Sequence, residues 1–406
     1  MSKLAIEGGN PVVNIPRPHY TWPKVNEDEV QAVEDYMRYG KSGEHGFPEI
    51  VEEFENRFKD YHGMKYALAL NSATSCLHLA YYSLGIGVDD EVIVPNFTFP
   101  ATALPLLPLG AIPVMCDCLK DTANIDPSEI TKKITKHTKA IAITHLWGHP
   151  CEMDEIISIA NQHEIPIVED CAHSPGAKYK GKLVGSLGDV SCFSFDKQKL
   201  LASGEAGILL TNNRKIFEKS LVFGEFGDRL KHQLELPEFK QFSDTGLGLK
   251  YRIHPIAAVI ANEKTKSLDQ LNYNRVSTLN YFTERLNETK SIIPPITKEY
   301  VERGGYYGYK VIYNSEPLHG LSITKFIEIL QTEGVDIRRT VTPPLHMTNL
   351  FSAPFTDFPN STWFQENHLS FATFSDHSDK IIIDSYLEAI HKVEKIIINN
   401  PDIIYK

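Results

Sequence analysis

A lysine behind a strand is the first residue of this sequence that could do chemistry. Lys199 follows Ser194 by five positions in CFSFDKQKLLASGEAGILLT, where apolar residues surround two lysines. Partial desolvation lowers the pKa of a lysine, and the neutral amine can then attack a carbonyl carbon to form a Schiff base. The alternative is a solvated turn between two buried strands, in which Lys197 and Lys199 only contact water.

Two adjacent acids end another predicted strand, in the segment PIVEDCAHS. Glu169 and Asp170 point to opposite faces of the sheet because side chains alternate along a strand. One of them therefore lies near the helix layer, where a buried carboxylate needs a cation or a protonated heterocycle as its partner. His173 follows three residues after Asp170. A strand-end aspartate is also a common helix cap, so this pattern alone leaves both readings open.

A third segment could hold a phosphate. The sequence NSATS leaves a predicted strand and enters a predicted helix, and its Ala73 and Thr74 are small residues at the helix N-terminus. Exposed N–H groups at such a terminus bind phosphate, although an ordinary N-cap has the same appearance. A phosphate cradle, a strand-end carboxylate and a lysine are together what pyridoxal phosphate needs for its phosphate, its pyridine nitrogen and its aldehyde carbon.

The elements that must position these residues alternate between strands and helices from about residue 50 to residue 265. This alternation predicts a mostly parallel sheet covered by helices on both faces, with ligands at the carboxyl ends of its strands. One of the helices is predicted in the proline-rich segment FPATALPLLPLG. A chain of 406 residues is long enough for two domains. We expect a large domain with an N-terminal arm over 1–265 and a smaller α+β domain over 266–406.

Composition excludes several classes of function. The net charge of −11 argues against general nucleic-acid binding and against an anionic membrane surface as a partner. No apolar stretch reaches the ~18 residues of a membrane helix, and no signal peptide precedes the fold. Six cysteines in apolar surroundings therefore indicate reduced thiols and a cytoplasmic protein. Cys116 and Cys118 lack a second ligand pair at metal-binding spacing, so no metal is expected.

The sequence resembles the DegT/DnrJ/EryC1/StrS family of sugar and cyclitol aminotransferases over nearly its whole length. The resemblance is carried by PNFTFPATA, by VEDCAHSPGAKYKGKLVGSLGDVSCFSFDKQKLLASGEAG and by GLKYRIHPIAA. It implies a pyridoxal phosphate-dependent transferase fold similar to that of aspartate aminotransferase. In such a fold a mostly parallel seven-stranded sheet lies between helices, and a smaller α+β domain follows.

The resemblance also implies a role for each matching residue. Lys199 falls on the Schiff-base lysine and Asp170 on the carboxylate that pairs with the pyridine nitrogen, so these two are the implied catalytic residues. The other implied cofactor-binding residues are Ser194, Ala73 and Thr74 at the phosphate, Phe99 stacked on the ring, and His173 near the ring hydroxyl. Lys197 then remains a solvated turn residue.

Two positions depart from the family pattern. Lys250 stands where many members carry an asparagine that reaches the phosphate of the partner subunit, so the resemblance implies a homodimer with shared active sites. A lysine there would contact the phosphate as a point charge. The glycine usual in the phosphate turn is also missing, and Ala73 can replace it only outside the left-handed backbone region.

The function implied is transfer of an amino group from glutamate or glutamine to a keto sugar, keto cyclitol or similar small ketone, with Lys199 moving the proton. One alternative is a sugar dehydratase of the same fold, and such enzymes replace the lysine by histidine. The other is a regulatory protein without turnover. Residues that could contact the acceptor, or could equally serve packing or the surface, are Trp22, His145, Trp147, His346, Arg338 and Arg339.

Overall fold

Fourteen strands and thirteen α-helices lie in the part of the chain that the computed structural model describes, residues 3–41, 43, 47–339 and 342–400. The strands are β1 Tyr66–Leu70, β2 Glu91–Pro95, β3 Ile112–Cys116, β4 Thr138–Thr144, β5 Ile167–Asp170, β6 Lys178–Tyr179, β7 Lys182–Leu183, β8 Val190–Ser194, β9 Gly207–Thr211, β10 Ile292–Ile293, β11 Val301–Glu302, β12 Tyr309–Tyr313, β13 Ile337–Arg338 and β14 His368–Phe371. The helices are α1 Glu27–Tyr39, α2 Glu49–His62, α3 Ala73–Ser83, α4 Pro127–Lys133, α5 Met153–His163, α6 Arg214–Gly224, α7 Asp228–Gln233, α8 Pro237–Lys240, α9 Pro255–Lys266, α10 Leu268–Leu286, α11 Ile323–Thr332, α12 Pro359–Asn367 and α13 Lys380–Asn399.

The main sheet has seven strands in the order β1-β9-β8-β5-β4-β2-β3. Only β9 runs against the other six, because it pairs antiparallel with both β1 and β8. The β9 strand, GILLT, is buried along its whole length, which fits a strand that is covered on both faces. The prediction of a mostly parallel seven-stranded sheet is therefore confirmed.

Helices cover both faces of this sheet, and the alternation within β1 shows why. Leu68 and Leu70 pack into one core together with residues of α3 and α6. Ala67 and Ala69, which point the other way, pack into a second core with residues of α2 and α9. Successive strand residues alternate between faces, so each face needs its own helical cover. This arrangement leaves the carboxyl ends of the parallel strands open to loops.

A second unit is built on an antiparallel sheet in the order β10-β12-β14-β13, with α10, α11 and α13 supplying its core. The first residues of the chain join that core: Leu4 and Val13 are buried in it. The Glu333 carboxylate accepts hydrogen bonds from the backbone N–H groups of Ala5, at 2.8 Å, and Val12, at 3.2 Å. A domain division at residue 265 stays a prediction.

The helix predicted in the proline-rich segment is divided in two and is of the 3₁₀ type. The chain forms two short 3₁₀-helices there, Pro100–Thr102 and Leu104–Leu109, instead of an α-helix. A proline inside an α-helix removes a backbone donor and clashes with the carbonyl four residues earlier, and Pro108 has this position. Among the described residues, no helix combines the length and the apolar character that crossing a bilayer needs.

Candidate active site

A cavity of about 490 Å³ lies at the carboxyl ends of the parallel strands. We call it the central cavity. Its walls come from the loops after β1, β2, β4, β5 and β8 and from the second unit, which places it where open α/β sheets bind ligands. Seven of the eight residues expected at a cofactor line it: Ala73, Thr74, Phe99, Asp170, His173, Ser194 and Lys199. The eighth, Lys250, is exposed and lies outside this lining.

Lys199 is anchored through its backbone. Its N–H donates to the Asp196 carbonyl at 2.8 Å, and its carbonyl accepts from the Trp22 indole at 3.0 Å. The side chain enters the cavity with Nζ 3.8 Å from the centroid of the Tyr307 ring. Desolvation lowers the pKa of Lys199 to about 8, although the charges of Asp170 and Asp196 oppose the change. An appreciable fraction of the amine is therefore unprotonated near neutral pH, as a nucleophile or a general base requires.

Asp170 is buried at the cavity wall behind two hydrogen bonds. Its Oδ2 accepts from the Thr102 hydroxyl at 2.8 Å, and its Oδ1 accepts from the Ala172 N–H at 3.1 Å. Thr102 belongs to a buried cluster of hydroxyls with Thr98 and Thr144, which lie 3.0 to 3.2 Å apart. Burial raises the pKa of Asp170, and the two hydrogen bonds and the Lys199 charge act against this rise.

Glu169 points away from the cavity, as the alternation predicts. Its carboxylate contacts His145 Nε2 at 3.1 Å and accepts from the N–H groups of Gly185, Leu187 and Gly188 at 2.6 to 2.8 Å. Burial would raise the pKa of Glu169, but the His145 contact and these backbone bonds outweigh it and lower the pKa. His145 is thus the buried partner of a structural carboxylate rather than a substrate contact.

The N-terminus of α3 lines one end of the cavity, where a phosphate is expected. Ser72 caps the helix, since its hydroxyl accepts from the Ser75 N–H at 3.1 Å. Ala73 is the first helical residue and is absent from the left-handed backbone region, so the missing glycine causes no strain. The close approach is made by Gly207 of β9 instead. A Cβ there would lie 2.4 Å from the Ser72 carbonyl carbon and 2.5 Å from the Ala73 nitrogen.

Two rings flank the space between these groups. His173 is buried, and its imidazole stacks on Tyr307 with ring centroids 4.3 Å apart. Burial, together with the charges of Lys199 and Lys310, lowers the pKa of His173 well below its usual value. The imidazole is therefore neutral. Phe99 is 57% exposed at the mouth of the cavity, where a planar ligand could stack on it.

The acceptor-side candidates separate into two groups. Trp147 lines the central cavity, while Trp22 and Arg338 line a neighbouring cavity of about 410 Å³, which we call the outer cavity. Arg339 instead donates to the carbonyls at the end of α12. His346 is buried, hydrogen-bonded to Asn96 and in contact with Thr362. Neither of these two lines the central cavity or the outer cavity.

Sequence reasoning missed several residues of the site. Tyr307 and Lys310 line both cavities although they belong to the second unit. Thr102 holds the buried carboxylate, and Glu205 lines the central cavity. One of these had a visible signal: Lys310 interrupts the apolar run of the strand YKVIY with a charge.

The sheet has one reversed strand beside an edge strand, and a lysine lies at the carboxyl ends of the parallel strands. This fold is shared with solved aminotransferases. The solved aminotransferase of Psychrobacter cryohalolentis matches the chain with a TM-score of 0.84 and 26% identity, covering 94% of this chain and 100% of that one. The chain belongs to the DegT/DnrJ/EryC1/StrS aminotransferase family, whose model matches residues 23–384.

Two relatives in this family act on different kinds of molecule. The L-glutamine:2-deoxy-scyllo-inosose aminotransferase of Streptoalloteichus tenebrarius is 31% identical over 356 residues, which are 86% of this chain and 83% of that protein. The GDP-perosamine synthase of Caulobacter vibrioides is 33% identical over 309 residues, which are 76% of this chain and 80% of that protein. The first name denotes a cyclitol substrate and the second a nucleotide-linked sugar.

Proposed function

We propose that this aminotransferase moves an amino group from glutamate or glutamine to a keto sugar, keto cyclitol or similar small ketone in the biosynthesis of an amino sugar or related metabolite. One observation carries the assignment of the site. The Lys199 amine, the Asp170 carboxylate and the N-terminus of α3 face a single cavity of about 490 Å³. The names of the relatives support the class of acceptor.

The residues of the central cavity fit pyridoxal phosphate. Its phosphate would lie at the N-terminus of α3, within reach of Ser194 and Thr74, and Gly207 leaves room for this turn. Asp170 would pair with the pyridine nitrogen, Phe99 would stack on the ring, and His173 would lie near the ring hydroxyl. When bound, the group supplies an electron sink that stabilises negative charge on the substrate carbon.

The chain itself supplies positioning and proton transfer. With the cofactor bound, Lys199 Nζ would take a proton from the substrate carbon and return it to the neighbouring carbon, as a positioned base. The Thr102 hydroxyl donates to Asp170 Oδ2 at 2.8 Å and so helps to fix the orientation of the carboxylate. Because Asp170 is buried, its carboxylate would act on the pyridine nitrogen with little screening by water.

We expect the purified protein, loaded with pyridoxal phosphate, to lose its visible absorbance when glutamate or glutamine is added. The reason is that donation of the amino group converts the cofactor to its amine form. Ketones added one at a time should then restore the band, and the ketone that restores it fastest identifies the acceptor class. Absence of any loss with either donor would contradict the proposal and favour a binding protein without turnover.

The alternatives differ in what they require of position 199. A sugar dehydratase of this fold carries histidine there, whereas this chain carries Lys199. A regulatory member could dispense with the lysine and the aspartate, and both are present. The six cysteines are free thiols, which supports a reducing compartment such as the cytoplasm.

We also propose that two subunits share each site. The segment before α9 is held in an extended conformation by backbone bonds, since Leu249 N–H donates to the Phe223 carbonyl at 2.7 Å and Asn71 N–H donates to the Tyr251 carbonyl at 2.8 Å. Leu249 is 43% exposed and Lys250 points outward beside it. Exposed apolar residues next to an outward cation favour a partner surface that carries an anion.

Mixing two inactive variants tests this sharing. Lys250→Ala is expected to weaken cofactor retention more than folding, because a charge-assisted contact to the phosphate is lost. Subunits with Lys199→Ala and subunits with Lys250→Ala should form mixed dimers that have one intact site and one doubly damaged site. Equal amounts with random pairing would restore about a quarter of the wild-type activity. Confirmed subunit exchange without recovery would show that Lys250 does not act across an interface.

A further inference from the structure

A second lysine, Lys310, faces the central cavity and has no role in the transfer described above. It lies on β12, where Tyr309 and Val311 are buried in the core of the second unit. Lys310 therefore points to the other face of the strand, toward the cavities. It lines both the central cavity and the outer cavity, so it lies where the two adjoin.

Three polar residues stand side by side on neighbouring strands at this place. Lys310 of β12 pairs with Ser370 of β14, and Ser370 pairs in turn with Arg338 of β13. Directly paired residues share a face of a sheet, so we call these residues the Lys310–Ser370–Arg338 row. Lys310 Nζ donates to the Ser370 hydroxyl at 2.9 Å. With strands about 4.8 Å apart, the two cations are roughly 10 Å apart at the backbone.

This row places two cations around one hydroxyl. Arg338 makes no side-chain hydrogen bond or ion pair with another residue that the structure describes, and it lines the outer cavity. Burial and the nearby Arg338 charge lower the pKa of Lys310 to about 7. Two neighbouring cations repel each other, and an anion that binds between them offsets this repulsion. Carboxylate and phosphate oxygens can accept hydrogen bonds from an ammonium, a hydroxyl and a guanidinium group at the same time.

The row is also connected to the reacting end of the site. Gln198 and Tyr307 line both the central cavity and the outer cavity, and the Tyr307 hydroxyl donates to Gln198 Oε1 at 3.1 Å, so this pair forms part of the wall between the two cavities. Lys310 itself lines the central cavity, so its side chain faces the same space as Lys199. Lys199 Nζ lies 3.8 Å from the Tyr307 ring centroid on one side of this shared wall. A substrate with its reacting carbon at Lys199 would thus extend toward the row.

We propose that the Lys310–Ser370–Arg338 row is a subsite for an anionic group of the substrate, a carboxylate or a phosphate. This inference rests on the proposed aminotransferase function and adds to it the residues that would hold an anionic group of the substrate. Two sources could supply the group: the carboxylate of the amino donor, or an acidic group on the keto acceptor.

The two half-reactions separate these sources. In the cofactor-loaded enzyme, Lys310→Met should raise the substrate concentration for half-maximal rate by about 10- to 100-fold, as the loss of a charged hydrogen bond would. A rise in the donor half-reaction identifies the donor carboxylate, and a rise in the acceptor half-reaction identifies an acidic acceptor. The matched control is Lys197→Met, which removes an exposed lysine two residues from Lys199 and should leave both half-reactions unchanged.

Calorimetry gives a readout that needs no turnover. Glutarate and inorganic phosphate are titrated into the loaded enzyme, and we expect Lys310→Met and Arg338→Met each to weaken binding of at least one of them about tenfold or more. If Lys310→Met loses cofactor or fold, Ser370→Ala and Arg338→Met replace it. Unchanged binding and unchanged half-reactions in these variants would overturn the subsite. A wild-type enzyme that binds glutarate but reacts with no donor would contradict the proposed function and leave the subsite supported.

Discussion

Replacing Lys199 by alanine is expected to abolish amino transfer while the protein still folds and holds its cofactor. The lost proton transfer alone should lower the rate by about 10²- to 10⁴-fold, and loss of the nucleophile should lower it further. The N-terminus of α3 and Gly207, where we propose that the phosphate binds, are untouched by the change, so the cofactor should stay bound. Stopped-flow absorbance with glutamate measures the rate, and absorbance of the denatured protein measures the cofactor.

Lys197→Ala is the matched control, because Lys197 is exposed in the same turn and should tolerate the change. Reduction of the wild-type enzyme with borohydride should attach the cofactor to the peptide that contains Lys199. A label on Lys197 would contradict the assignment. With a pKa of about 8, the Lys199 amine of the cofactor-free protein should capture pyridoxal phosphate faster as the pH rises through 8. The neutral amine is the nucleophile, which gives the sign of this change.

Asp170→Asn is expected to lower the rate of proton abstraction by about 10²- to 10³-fold, with a much smaller change in substrate binding. The amide can still accept the Thr102 hydrogen bond, but it lacks the charge that keeps a pyridine nitrogen protonated. Glutamate deuterated at the reacting carbon provides the measurement. The isotope effect should grow in the variant because removal of this proton becomes the slow step.

Glu169→Gln is the matched control for Asp170, since it changes the adjacent carboxylate that faces the other side of the sheet. We expect a lower melting temperature, because the contact with His145 and three backbone N–H groups is weakened. Turnover per folded site should stay close to that of the wild type. Full activity of Asp170→Asn combined with a large rate loss in Glu169→Gln would reverse the two assignments.

Much of the fold could be predicted because its strands are buried on both faces. The strand β4, for example, carries the continuous apolar run AIAI at residues 140–143, and this pattern together with intervening helices indicates a covered parallel sheet. The reversal of β9 could not be predicted, since periodicity carries no information on strand direction. In the proline-rich segment a helix could be predicted from the apolar residues, but its division into two 3₁₀-helices, which the prolines favour over an α-helix, was not predicted.

The site was predictable where its residues are close in sequence to strand ends. Asp170, Ser194 and Lys199 end or follow strands of one sheet, so topology alone brings them together. Lys310 lies on β12 of the second unit and Tyr307 lies two residues before that strand, both more than 100 residues later in the chain than Lys199. Which loops of two units meet depends on packing between them, and a sequence pattern does not record it. Thr102 was overlooked because its hydroxyl acts through Asp170.

Leu4, Ala5 and Val13 contact residues that the ribosome adds much later in the chain. Leu4 and Val13 are buried with residues of α11 and α13, and Ala5 is hydrogen-bonded to Glu333, 328 positions later. A ribosome that adds about 5 to 20 residues per second needs roughly 16 to 66 s to cover that distance. During this interval Leu4 and Val13 lack their neighbours from α13 and remain available to chaperones. The core of the second unit can therefore be completed only after α13 has been synthesised, although Leu4 and Val13 of the same core are made before the large sheet.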